Sequence, residues 1–188
     1  MIGEIFPWLC IIGFQENVDD NYVYAKFKNK KYIFLVVYVD DILLASSDVN
    51  LLLETKKLLS SKFDTKDLSE ASFVLGIEIH RDREKKILGL SQKAYLEKVL
   101  KKYSMQNYKS SPTPIVKGDR YGEFQCPRNQ YEIDQIKAVS YSSVVVSLLY
   151  AQVCTRPDLS FVTGLLGRYQ SDPGIEHWKF VKKVLRYL

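Results

Sequence analysis

Two pairs of adjacent carboxylates are the groups best able to do chemistry in this 188-residue chain: Asp19-Asp20 and Asp40-Asp41. Neighbouring carboxylates raise each other's pKa, and withdrawal from water adds to the cost. A divalent cation removes both penalties. Asp40-Asp41 closes the apolar run Tyr32 to Val39, so the second pair is open to two readings. It is a metal site or an ordinary hairpin turn, where Asp is common. In a flat strand the two side chains would point to opposite faces, whereas a tight turn can bring both to one rim. No apolar strand precedes Val18-Asp19-Asp20, which reads as a loop with a cap or turn role.

Other chemistries find less support. Cys10, Cys126 and Cys154 are odd in number and widely spaced, which matches neither a disulfide framework nor zinc-ligand spacing. His80 and His177 are the only histidines, a further point against zinc. Sparse cysteines suit a reducing, intracellular setting (cytoplasm or nucleus) rather than secretion. The apolar segment Ile2 to Phe14 has no basic leader and is interrupted by Glu4 and Pro7, so it does not read as a signal peptide. No run approaches the roughly 18 apolar residues of a membrane helix.

Charge is unevenly spread. The net charge is +5, yet residues 85–109 hold Lys85, Lys86, Lys93, Lys98, Lys101, Lys102 and Lys109 against Glu97 alone. Lys179, Lys182, Lys183 and Arg186 crowd the last segment. A basic second half joined to acidic pairs in the first suits a metal-dependent protein that handles nucleic acid. Solvated helix faces explain such clusters equally well.

The elements that must position these groups follow from periodicity. Tyr22 to Phe27 alternates, Lys28-Asn29-Lys30-Lys31 is a polar turn, and Tyr32 to Val39 is apolar on both faces, which predicts a central strand. Ile42 to Ala45 is the return strand. Asp48 is placed to cap a helix over 49–62. Phe73 to His80 and Ile87 to Leu90 predict a second hairpin across a charged turn at 81–86. Ser91 then caps a helix whose apolar stripe is Tyr95, Leu96, Val99, Leu100 and Tyr103. Residues 107–138 read as loop, with Pro112, Pro114, Gly118, Gly122 and Pro127. Helices are expected over about 140–154, 157–170 and 174–188, with Pro157 in a first turn and Asp172-Pro173-Gly174 between the last two. The order, β-rich then α-rich, is α+β.

The motifs in order carry a resemblance. Val36-Val37-Tyr38-Val39-Asp40-Asp41-Ile42-Leu43-Leu44-Ala45 resembles the palm hairpin of copia-type retrotransposon reverse transcriptases. Asp67 to Ala71, Leu75 to Ile79, Leu90 to Tyr95, Tyr141 to Tyr150, Thr155 to Asp158 and Asp172 to Trp178 continue it, as does Val184 to Leu188. The likeness covers nearly everything from about Ile12 onward, and nothing in Met1 to Leu9 matches it, which suggests a truncated or chimeric reading frame.

That resemblance implies a partial polymerase palm, with antiparallel hairpins and a helix, over 1–90. A helical thumb over 91–170 would follow, containing the loop 107–138, and the start of a connection region over 171–188. It implies RNA-directed DNA polymerisation by two-metal phosphoryl transfer with Mg2+ (or Mn2+), a template–primer of RNA or DNA, and nucleoside triphosphates. Asp40 and Asp41 would be catalytic, metal-binding acids, Asp40 the stronger ligand, with Tyr38 and Val39 near the primer terminus. Leu75 and Gly76 would belong to the primer grip, Gly76 allowing close approach of the backbone or serving as a plain strand glycine at a bulge. Lys93, Lys98, Lys101 and Lys102 would meet the nucleic-acid backbone. Val146, Ser147 and Tyr150 would lie on the thumb helix that enters the minor groove. Family members usually carry glycine where Val146 stands, and Ser69 and Ser142 also replace small family residues. His80, Trp178 and Phe180 read as structural.

In the family the third metal-binding aspartate and the fingers lie upstream, and a ribonuclease H domain follows. The expectation is therefore a chain inactive alone, which an upstream fragment of the same polyprotein would complete. A non-catalytic nucleic-acid-binding remnant and a functionless transposon relic are the alternatives.

Overall fold

Alternation of apolar and polar residues builds the first sheet. In the computed structural model, which describes residues 2–116 and 118–188, β2 (Val23–Lys28), β3 (Lys31–Tyr38) and β4 (Asp41–Ser46) pair antiparallel, with the short β1 (Gln15–Glu16) at one edge. Met1 and Lys117 lie outside the described residues. The strand order is β1-β2-β3-β4, so β3 is central as its composition predicts. Asn29 and Lys30 join β2 to β3 with φ of 51° and 63°, the double positive φ of a two-residue turn that matches strand twist.

One face of this sheet is closed. Tyr24, Ile33, Leu35 and Val37 are buried with Ile5 and Leu9 of α1 (Ile2–Ile11) and with Leu51 and Leu59 of α2 (Val49–Lys62). Burying each such side chain contributes about 1.5–3 kcal/mol. The other face is open: Tyr32, Phe34 and Tyr38 are 43%, 40% and 51% exposed. The strand is central as expected, yet its apolar residues are not all buried, since those on the outer face are aromatic and remain in contact with solvent.

The helix α1 had no counterpart in the sequence reading. Pro7 inside it lowers helix propensity, but Ile5 and Leu9, four apart, share the buried face. Asp48 does cap α2, accepting from the Leu51 N–H at 2.9 Å and from the Lys31 ammonium at 2.6 Å. The Lys31 bond and then the Leu51 bond hold its carboxyl below the usual range.

The chain divides into two compact units at Ala71 and Ser72, and the second unit is mostly helical. Its small sheet runs β5 (Phe73–Val74), β6 (Ile77–Asp82) and β7 (Ile87–Ser91). The single strand expected over Phe73 to His80 is instead a tight hairpin, because Leu75 and Gly76, with φ of 51° and 74°, turn the chain between paired Val74 and Ile77. Gly76 is therefore a turn residue rather than a strand or bulge glycine. The division also groups this hairpin with the helices, at 72 rather than 91.

A single cluster forms the helical core. Val99 of α3 (Lys93–Lys102), Val144, Val145 and Leu148 of α5 (Tyr141–Cys154), Val162 and Leu166 of α6 (Ser160–Gly167), and Phe180, Val181 and Val184 of α7 (Ile175–Leu185) are all buried in it. The apolar stripe expected of α3 packs against it as read, Trp178 packs against it half-buried, and Pro157 opens a 3-10 turn before α6. His80 lies exposed, 3.4 Å from the Glu78 carboxylate.

The stretch 107–138 is not all loop. It contains a short 3-10 turn at Glu123–Gln125 and α4 (Gln130–Lys137), which Asn129 caps by accepting from the Glu132 N–H at 2.9 Å. Among the described residues no single helix is long and apolar enough to cross a membrane.

Candidate active site and nucleic-acid interface

The first site is the turn between β3 and β4. Tyr38 pairs with Asp41, leaving Val39 and Asp40 as the two turn residues. Val39 has φ of 50° while Asp40 is not in the positive-φ region, the pattern of a type II′ turn, whose first central position favours glycine. A β-branched residue there is strained by about 1–3 kcal/mol. Its side chain, 63% exposed, gains little packing in return.

Register sets the two acids apart. Cross-strand partners share a face, so Asp41 rises beside Tyr38 on the open aromatic face with Val36, Leu43 and Phe34. Asp40 sits on the turn itself. Both are exposed, so the desolvation cost attached to these carboxylates in the sequence reading is absent from this chain. Among the described residues neither carboxylate accepts a hydrogen bond or joins an ion pair. They are free, hard oxygen donors of the kind magnesium prefers. They fit such a cation in kind and fall short in number, since among the described residues no three His, Cys, Asp or Glu gather into a metal-holding group. Asp40 and Asp41 can therefore be two of its ligands, with the others coming from elsewhere.

The second site lies in the helical unit. Leu75 and Gly76 form the hairpin tip, and the Tyr150 hydroxyl of α5 donates to the Leu75 carbonyl. A Cβ on Gly76 would stand 3.6 Å from that same hydroxyl oxygen. The Tyr150 ring meets Tyr95 edge-on at 4.9 Å, and the Tyr95 hydroxyl donates to the Ser147 carbonyl at 3.1 Å. Burial pushes the Tyr95 hydroxyl pKa up, which keeps it a donor. Leu75, Gly76, Ser147 and Tyr150 are thus brought together, along with Tyr95, which the sequence reading treated only as core stripe. A tyrosine rather than leucine or phenylalanine at such a position signals a hydroxyl that needs a partner.

Helix α5 divides its residues cleanly. Val144, Val145 and Leu148 are buried, whereas Ser142, Ser143 and Val146 are exposed, Val146 at 57%. On α3, Lys93, Lys98, Lys101 and Lys102 are all exposed, and among the described residues none joins an ion pair. Lys102 lies 5.2 Å from the centre of the Tyr103 ring.

The model of the family described as reverse transcriptase (RNA-dependent DNA polymerase) matches residues 4–117. This chain belongs to the reverse transcriptase family. The match begins at residue 4, so the family likeness reaches further toward the start than the Ile12 of the sequence reading. The retrovirus-related Pol polyprotein from transposon TNT 1-94 of Nicotiana tabacum is 42% identical over 171 residues, covering 90% of this chain and 13% of that polyprotein. Those from transposons RE2 and RE1 of Arabidopsis thaliana are 31% and 32% identical, each covering 98% of this chain and 12% of their own length. The chain thus spans about an eighth of the length of these relatives. No solved structure matches it.

Proposed function

We propose that this chain supplies the metal-binding turn and the primer-holding part of an RNA-directed DNA polymerase of a copia-type retrotransposon. The observation that carries the reading is the strained two-residue turn at Val39 and Asp40, which leaves two adjacent carboxylates exposed and uncommitted in a chain of this family. Bound magnesium (or manganese) would lower the pKa of the primer 3′-hydroxyl and neutralise charge on the incoming triphosphate. Asp40, on the turn, offers its oxygens to that ion, and Asp41 adds a second donor from the sheet face beside it. Tyr38 and Val39 border the place where the primer terminus would lie.

The remaining residues hold the duplex. Leu75 and Gly76 present backbone to the primer, with Val146, Ser147 and Tyr150 on α5 behind them. Lys93, Lys98, Lys101 and Lys102 give salt-sensitive contacts to phosphates without reading sequence. With two carboxylates and no third acid grouped with them among the described residues, metal and substrate are held too loosely for catalysis by this chain alone. Placement is what supplies most of the rate in phosphoryl transfer.

Primer extension tests both halves of the proposal. The chain alone, given magnesium and an oligo(dT) primer on poly(rA), should extend nothing. Joined to the segment that precedes the matching hairpin in a copia-type relative, it should extend the primer, and Asp40→Asn should abolish that signal. A joined protein that binds the duplex but extends equally well with Asp40→Asn would overturn the proposal. The two-acid donor set favours one other reading, a binding remnant without catalysis, which would hold an RNA–DNA hybrid salt-sensitively and without metal dependence.

A further inference from the structure

The hairpin tip at Leu75 and Gly76 is poorly held by its own strands. Strand β5 has two residues, Phe73 and Val74, so the ladder beyond the turn is minimal, extended by one further bond from the Ile79 N–H to the Ser72 carbonyl at 2.8 Å. Leu75 occupies the left-handed region, which a branched side chain disfavours. Isolated, such a tip would fray. Its geometry is set from outside, by a side chain of α5.

Three contacts converge there. The Tyr150 hydroxyl donates to the Leu75 carbonyl, and the absence of a side chain on Gly76 leaves that hydroxyl room beside the turn. The Tyr150 ring is braced by Tyr95 of α3, whose own hydroxyl is anchored one turn back on α5 at the Ser147 carbonyl. The bracing fixes where the Tyr150 hydroxyl points. Both Leu75, 42% exposed, and Val146, on the open side of the same helix, are accessible.

We infer that Tyr150 is a positioning residue that locks the Leu75–Gly76 turn to α5, so that turn and helix meet a primer strand as one surface. The inference rests on the nucleic-acid reading above and assigns Tyr150 a task different from touching the duplex. Without the lock the helix would still meet the duplex, but the turn would no longer follow it. Tyr95 acts one step further out, through its ring and its bond to Ser147.

Tyr150→Phe removes the hydroxyl and keeps the ring against Tyr95, so the helical core stays intact, as exchange protection of the buried part of α5 would show. Amide exchange at Ile77 and Ile79 should then quicken about three- to tenfold, the range that loss of one hydrogen bond allows. Tyr95→Phe should quicken it less. Unchanged exchange at Ile77 and Ile79 in Tyr150→Phe overturns the lock.

Hydroxyl-radical footprinting with a short RNA–DNA hybrid gives a readout that a purely structural role would not move. In the native chain the hybrid should shield Leu75 and Val146 together, and in Tyr150→Phe it should shield Val146 alone. Joint shielding that persists in the variant overturns the coupling. A hybrid that shields neither residue in the native chain overturns the nucleic-acid reading and the coupling with it, while the exchange result still decides how the turn is held.

Discussion

The triplet Val-Asp-Asp occurs twice in the first unit, at 18–20 and at 39–41, and the two copies spend their polar groups in opposite ways. At Val18-Asp19-Asp20 the Asn17 side-chain oxygen accepts from the N–H groups of Asp19 and Asp20 at 2.8 and 3.1 Å. The Asp20 carboxylate accepts from the Tyr22 N–H at 3.0 Å, and its carbonyl from the Val23 N–H at 3.0 Å. Side chains there satisfy a loop's own backbone, the usual use of Asn and Asp in turns. At Val39-Asp40-Asp41 the strands supply the backbone bonds, and the two carboxylates are left free for something outside the chain. One copy lies in a loop held by the side chains of Asn17 and Asp20, and the other is held by a sheet.

Four substitutions can break or sharpen that contrast. The largest effect is expected from Asn17→Ala, which strips the first loop of two hydrogen bonds. It should cost about 1–2 kcal/mol in denaturant unfolding of the native chain. A cost near zero would mean that the loop is not built by its side chains. Val39→Gly comes next and has the opposite sign. Glycine relieves the positive-φ strain of the second turn at some backbone-entropy cost, for a net gain of about 1 kcal/mol. A loss of stability would show that Val39 is not strained. The smallest change belongs to Asp40→Asn and Asp41→Asn. These carboxylates are exposed and unbonded, so stability should stay within about 0.5 kcal/mol of the native chain. A larger loss in either would reveal a structural task that the account denies them.

Much of the scaffold was legible because single residues announced it. Asp48 reads as a cap before Leu51, Leu52, Leu58 and Leu59, and the structure gives it the Leu51 N–H. Tyr32 to Val39 reads as a strand, and Lys31–Tyr38 lies within the sheet as a central strand. The closed face of that strand does not follow from composition, because Tyr32 and Phe34 look like core residues and yet face solvent.

Two helices escaped for opposite reasons. In α1 a proline masked the apolar spacing of Ile5 and Leu9. In α4 a real signal, Asn129 followed three residues later by Glu132, was overridden by the prolines and glycines before it. The turn at Leu75 and Gly76 was missed because Leu75 gives no local sign of a positive φ.

The site was legible in part. The turn carrying Asp40 and Asp41 was visible from strand context and motif. Its exposure was not, because the sequence shows only that an apolar run precedes it. The link from Tyr150 to Leu75 spans 75 positions, and long-range pairing of that kind has no local pattern.

The most direct test of the central claim uses manganese as a paramagnetic probe on the native chain. Titration followed by amide NMR should broaden residues 38–42 first and most strongly, spare 17–22, and lose that selectivity in Asp40→Asn with Asp41→Asn. Equal broadening at the two Val-Asp-Asp copies, or none at 38–42 at the metal concentration that broadens 17–22, would contradict the assignment of Asp40 and Asp41 as the metal-binding pair.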